Sequence, residues 1–185
     1  MEIDPESSLS PTERGRGIEG EGVFGHKQPP PHPLPLSPDS GGEGNVAERI
    51  VAIARSWIGT PYVHQASLKG AGCDCLGLLR GIWRELHGEE PEEIPPYSLD
   101  WAEATGSETL YMALKRHILE IGIGRLAPGD IALFRMTRHG PAKHCGIVSN
   151  RDGTPMLIHA RQNKRVSEEP FSAFWRSKLA FAFRL

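Results

Sequence analysis

The chain has 185 residues and a net charge of −2, from 21 Lys plus Arg against 23 Asp plus Glu. That balance excludes a polybasic protein that binds nucleic acid or a membrane surface by bulk charge, and no run of about 18 apolar residues is present to span a bilayer. Hydrophobic residues make up 38%, below the globular norm, so part of the chain is expected not to fold.

That part is the beginning. Residues 1–45 carry eight Gly and eight Pro, with eight acids against three bases. Pro29, Pro30, Pro31, Pro33, Pro35 and Pro38 favour extended polyproline conformations. The interleaved glycines have little apolar surface to bury, which predicts a disordered tail. A proline-motif ligand is one alternative, and a natural start near Val46 is another. No apolar h-region follows Met1, so the expectation is synthesis in the cytoplasm without a signal peptide. Residues 46–185 are then one domain, large enough to bury roughly 68–70% of its unfolded surface.

Asn45 with Glu48 resembles a capping box. Ala47, Ile50, Val51, Ala54, Trp57 and Ile58 follow at helical spacing, until Gly59 and Pro61 stop the helix. A polar loop holds Tyr62, His64 and Gln65. Gly70-Ala71-Gly72 breaks the chain before Cys73-Asp74-Cys75, and a second amphipathic helix follows. Its stripe is Leu78, Leu79, Ile82, Trp83 and Leu86, and Gly88 ends it. Glu89 to Asp100 reads as an acidic, Pro-rich loop. Ser107 to Ile121 reads as a third helix, with Leu110, Leu114 and Ile118 every fourth residue. Beyond the Leu126–Asp130 turn the period changes. Ile131–Phe134, Cys145–Val148 and Met156–Ala160 are short apolar runs suited to strands. Leu179, Phe181, Phe183 and Leu185 alternate along a fourth. Helices first and strands second predict an α+β fold with a mostly antiparallel sheet.

The cysteines are Cys73, Cys75 and Cys145, an odd count without a signal peptide, which argues against a disulfide framework. Cys75 falls in the first turn of a helix, where free N–H groups and the dipole stabilise a thiolate. By position alone, a buried structural cysteine is the competing reading. A nucleophile needs a base and the base an orienting partner. His144 and His159 lie on strands expected to be adjacent, which brings both rings to one face. A zinc site from Cys73, Cys75, His144 and Cys145 fits less well. The spacings are unusual for zinc, and strand neighbours point to opposite faces.

Gly59-Thr60-Pro61-Tyr62, Cys73-Asp74-Cys75-Leu76-Gly77-Leu78, Leu126-Ala127-Pro128-Gly129-Asp130-Ile131, His144-Cys145-Gly146-Ile147 and Ile158-His159-Ala160 together resemble the NlpC/P60 cysteine peptidases. The resemblance covers nearly all of residues 46–185 and is nearest to the subgroup beside phage-tail and gene-transfer-agent genes. It implies a papain-like α+β core with the cysteine helix on an antiparallel sheet. It further implies cleavage of peptidoglycan stem peptides, typically between D-glutamate and a diamino acid, with no cofactor. By position, Cys75 resembles the nucleophile, His144 the base and His159 the third polar residue. Tyr62 resembles the tyrosine that helps hold the oxyanion, and Asp74 the aspartate linked to the peptide's amino end. Leu76 departs from the serine the family often has there, which leaves the exact peptide preference open. The implied partners are stem peptides and phage-like tail proteins, and the implied place of action is the cell wall, reached on a phage-like particle. A thiol amidase or acyltransferase on the same core, or a non-catalytic wall-binding module, are the alternatives.

Overall fold

The structure, a computed structural model, describes residues 42–98 and 106–185. The Pro/Gly-rich tail up to residue 41 and the end of the acidic loop lie outside the described residues. Helix α1 is Gly42–Ser56, so Asn45 lies inside it and not ahead of it, and the expected capping box at Asn45 is not its start. A two-stranded ribbon, β1 (Ser67–Leu68) and β2 (Gly72–Cys73), precedes α2 (Cys75–His87). Then come α3 (Thr109–His117), β3 (Leu119–Ile121), β4 (Ile131–Arg135), β5 (Ala142–Arg151), β6 (Thr154–His159), β7 (Ser167–Pro170), α4 (Ala173–Lys178) and β8 (Leu179–Arg184).

The third helix is shorter than its periodicity predicts. Leu110, Leu114 and Ile118 are all buried, but Ile118 is already extended (φ −132°, ψ 142°). The next three residues form an edge strand against β8. Pairing with β8 supplies their backbone groups with partners. The apolar spacing of a helix and the burial of a strand coincide at Ile118, so periodicity alone overran the boundary.

The main sheet is six-stranded and antiparallel, in the order β3-β8-β4-β5-β6-β7. Its two faces have different jobs. One buries Ile131, Leu133, Cys145, Ile147 and Phe183 beneath Ile50, Ala54 and Trp57 of the α1 segment and Leu78 and Ile82 of α2. Gly81 makes that contact possible, since a Cβ there would lie 2.0 Å from a ring carbon of Trp57. The other face buries Phe134, Val148, Leu157, Phe171 and Trp175. The alternation expected along β8 holds for Phe181, Phe183 and Leu185, which pack on the helical side, while Leu179 packs on the opposite side. A register shift between Leu133 and Phe134 against β8 separates them, as bulges do.

The Leu126–Asp130 motif is structural. Asp130 is buried and takes two 2.8 Å bonds from Arg184 and one of 2.7 Å from the Ala127 N–H. That bidentate pairing ties the turn before β4 to the end of β8.

Candidate active site

Cys75 is the first residue of α2, and the chain reaches it already fixed. Asp74 caps the helix, with Oδ1 accepting from the Gly77 N–H at 2.7 Å. The other N–H groups of the first turn, that of Cys75 included, have no intrahelical partner. The Cys75 Sγ lies 3.8 Å from the Lys143 carbonyl, where β5 begins. Its pKa is held well below the ordinary thiol value. The Cys145 thiol hydrogen-bonds to it, the His144 side chain does so as well, and together they outweigh burial, which works in the other direction. Cys145 shifts oppositely, well above its usual value, because its proton is held by Cys75 and it is buried. Of the two thiols, Cys75 therefore carries the negative charge. The Cys145 sulfur also lies 3.3 Å from the Cys75 carbonyl oxygen. The third thiol, Cys73, is buried and pushed up to about 12, chiefly by burial and then by Asp74 and Cys75.

The two histidines meet. His144 Nε2 is 2.8 Å from His159 Nδ1. The strand register explains this, since Ile147 pairs with Ile158 and so puts Gly146 opposite His159, with His144 on the same face. A Cβ on Gly146 would lie 2.9 Å from that of His159, so only glycine leaves room for the ring there. His159 is wholly buried, and its pKa is pushed down to about 3 by burial first and the charge of His144 second, against the pull of Glu169. It is a neutral ring at any ordinary pH. Trp175 stacks on His144 (5.4 Å between centroids, 29°) and meets His159 edge-on (4.7 Å, 84°).

Two residues behind this pair escape sequence reasoning. Glu169 Oε1 is 3.1 Å from His159 Nε2 and accepts the Trp175 indole N–H at 2.7 Å. Burial would raise the Glu169 pKa, but Trp175, His159 and Arg161 hold it below the usual carboxylate value. In sequence Glu169 is one of two adjacent acids before Pro170, in a stretch without an apolar run. The only available signal is the apolar–polar alternation around Val166.

Tyr62, Asp74, Cys75 and His144 line one cleft of about 350 Å³, with Tyr97, Lys143, Arg161 and Trp175. The Tyr62 phenol is pushed up to about 12 by burial and by the negative charges of Asp74 and Cys75, so it stays a donor. Asp74 is largely committed. Its Oδ2 takes the Gln65 N–H and the Tyr97 hydroxyl, each at 2.7 Å, with His64 Nδ1 at 3.5 Å. Tyr97 comes from the acidic loop, where a single tyrosine after two prolines was its only trace in the sequence. Leu76 does not face this cleft. It lines an adjoining apolar cavity of about 570 Å³, with Leu79 and Trp83. Among the described residues, no group of three or more His, Cys, Asp or Glu is arranged to hold a metal ion, and no helix is long and apolar enough to cross a membrane.

Helices packed on an antiparallel sheet in this arrangement are also found in solved structures. A Bacillus cereus NlpC/P60 family protein superposes with a TM-score of 0.52 at 21% identity, over 75% of this chain and 39% of its own. This is the NlpC/P60 fold. NlpC2 from Trichomonas vaginalis superposes with a TM-score of 0.53 at 21% identity, over 75% of this chain and 46% of its own. Among characterised proteins, a gamma-DL-glutamyl hydrolase of Bacillus subtilis is 27% identical over 131 residues, which is 70% of this chain. The chain spans 27% of the length of that relative. No family model matches the sequence.

Proposed function

We propose that this chain is a cysteine-type hydrolase of peptidoglycan stem peptides that cleaves at a glutamyl bond. The observation that carries the reading is that Cys75, His144 and Tyr62 line one cleft, with His144 Nε2 2.8 Å from His159 Nδ1, and that His144 and Cys145 hold the Cys75 pKa low. The fold shared with NlpC/P60 proteins and the likeness to a glutamyl hydrolase support the choice of substrate.

In this reading the Cys75 thiolate attacks the scissile carbonyl. The Cys75 N–H and the Tyr62 hydroxyl donate to the oxyanion, each worth about 3–4 kcal/mol in acyl-transfer enzymes. His144 bonds to His159 through Nε2, which leaves Nδ1 to face the sulfur. Nδ1 takes the thiol proton, passes it to the leaving amine, and then activates the water that releases the acyl group. His159, neutral and buried, orients His144. Asp74 shapes the end of the cleft near the substrate's amino group by holding Tyr97 and Gln65.

The test is mass spectrometry of purified muropeptides after incubation with wild type and Cys75→Ala. Two fragments split at the D-glutamyl–diamino acid bond are expected from the wild type only. Cleavage by Cys75→Ala at the wild-type rate would remove the thiol mechanism. Carriage to the cell wall by a phage-like tail belongs to the same proposal and rests on the subgroup resemblance. Co-purification of the full chain with such particles tests it.

A further inference from the structure

We propose that Glu169 is a positioning residue that sets the direction of the hydrogen bonds through His159 and His144, so that His144 presents a bare Nδ1 to Cys75. The inference rests on the reading of Cys75 and His144 as nucleophile and base.

The argument is a count of protons. An ionised carboxylate only accepts hydrogen bonds. Glu169 already receives the Trp175 N–H at 2.7 Å, and Arg161 Nη1 lies 3.3 Å from each of its oxygens. It is ionised, so the 3.1 Å contact to His159 is a bond only if His159 Nε2 carries hydrogen. His159 is buried and neutral and has one ring proton to place. Its Nδ1 is then bare and accepts. The 2.8 Å contact to His144 is a bond only if His144 Nε2 carries hydrogen. A neutral His144 has spent its one proton there, and Nδ1 is free to take another from the thiol.

The reverse chain fails at both ends. With hydrogen on Nδ1 of His159, Nε2 would set a lone pair against the Glu169 carboxylate. Nε2 of His144 would become the acceptor, and its Nδ1 would already be protonated against the Cys75 thiol, unable to act as a base. One carboxylate, two rings away from the sulfur, excludes that state. Among the described residues, the charged and titratable groups around the chain are Cys75 and Cys145 in front, Asp74, Tyr62, His64, Tyr97 and Lys143 beside them in the cleft, and Arg161 flanking Glu169. Of these, only Glu169 contacts His159 on the side away from His144.

Glu169→Gln removes the directionality, because an amide can either donate to or accept from His159. The readout is the alkylation rate of Cys75 by iodoacetamide against pH, with the modified peptide located by mass spectrometry. In Glu169→Gln the midpoint should move up by at least about one pH unit, toward the ordinary thiol value of about 8.5, with about tenfold slower alkylation near neutrality. Glu169→Asp, which keeps the charge, should recover part of that shift. A folded Glu169→Gln with the wild-type midpoint overturns the proposal. A second measurement needs no variant: long-range ¹⁵N–¹H correlation on the wild type reads the His159 tautomer. Hydrogen on Nε2 is expected, and hydrogen on Nδ1 overturns the proposal. Muropeptide cleavage by Cys75→Ala would instead sink the underlying reading, whatever tautomer His159 holds.

Discussion

The two halves of the site are built on opposite terms. The front half, Asp74-Cys75 with Tyr62, lies on one short stretch of chain and borders the cleft. The back half, His159, Glu169 and Trp175, is drawn from β6, β7 and α4, with His159 and Trp175 buried against one another. The front changes charge, and the back is held in one protonation state. His159 is neutral because burial costs a cation more than Glu169 returns, and Glu169 stays ionised because three donors offset its burial. A mobile proton at the front requires fixed protons behind it.

The largest expected effect falls on the front. Cys75→Ala should abolish muropeptide cleavage with little change in melting temperature, because removing one partly buried sulfur at a helix start costs little packing. His144→Ala should come next, losing about 10²–10⁴-fold in single-turnover rate, the usual worth of general acid–base catalysis. His159→Asn, which keeps a polar partner for His144, should retain more activity than His159→Ala. Equal loss in His159→Asn and His144→Ala would erase the distinction between a working front and a fixed back.

A third test sharpens the comparison through acid stability. The folded His159 pKa is pushed from 6.5 to about 3, so its neutral form stabilises the fold above the unfolded value. As pH falls from 6.5 toward 3, the unfolded chain binds a proton that the folded ring refuses. Stability should drop there by about 1.4 kcal/mol per pH unit at most. Urea unfolding midpoints near pH 7 and near pH 4.5 should diverge less in His159→Gln than in wild type. An equal divergence would mean the ring is not held neutral. The smallest effect belongs to Cys73→Ala. Its buried thiol, with a pKa near 12, is unreactive, so turnover should persist while stability falls by about 1 kcal/mol, read as a small drop in melting temperature.

The contrast also explains what was legible in the sequence. Cys75 was readable because its signals are local: a glycine break before it, an amphipathic helix after it, and Asp74 as the cap. His144 and His159 were readable as a pair because two apolar runs separated by a tight turn predict adjacent strands, and the observed register agrees. Glu169 was not readable. Its partners Trp175, His159 and Arg161 come together only once β7 has paired with β6, and no local period reports a partner across a ladder. Strand alternation predicts that Cys145 and His144 diverge. Cys145 does point to the helical face, and that is the face from which α2 brings Cys75 to it. Strand alternation gives a direction, but what waits there depends on the packing of helices.

The position of β8 in the sheet has a kinetic consequence. Strands β4 to β7 follow one another in both sequence and space, so they can assemble as successive hairpins. Strand β8 must insert between β3 and β4, closing loops of roughly 45–65 residues, and such non-local pairing is slow. Until it arrives, β4 presents an open ladder edge bearing Ile131 and Leu133, and exposed apolar edges recruit other chains. A chain cut before Leu179 should therefore aggregate and fail to refold, while retaining every residue of the site. The slowest step in folding this protein is then expected to be the closing of its own sheet, far in sequence from the thiol that works in it.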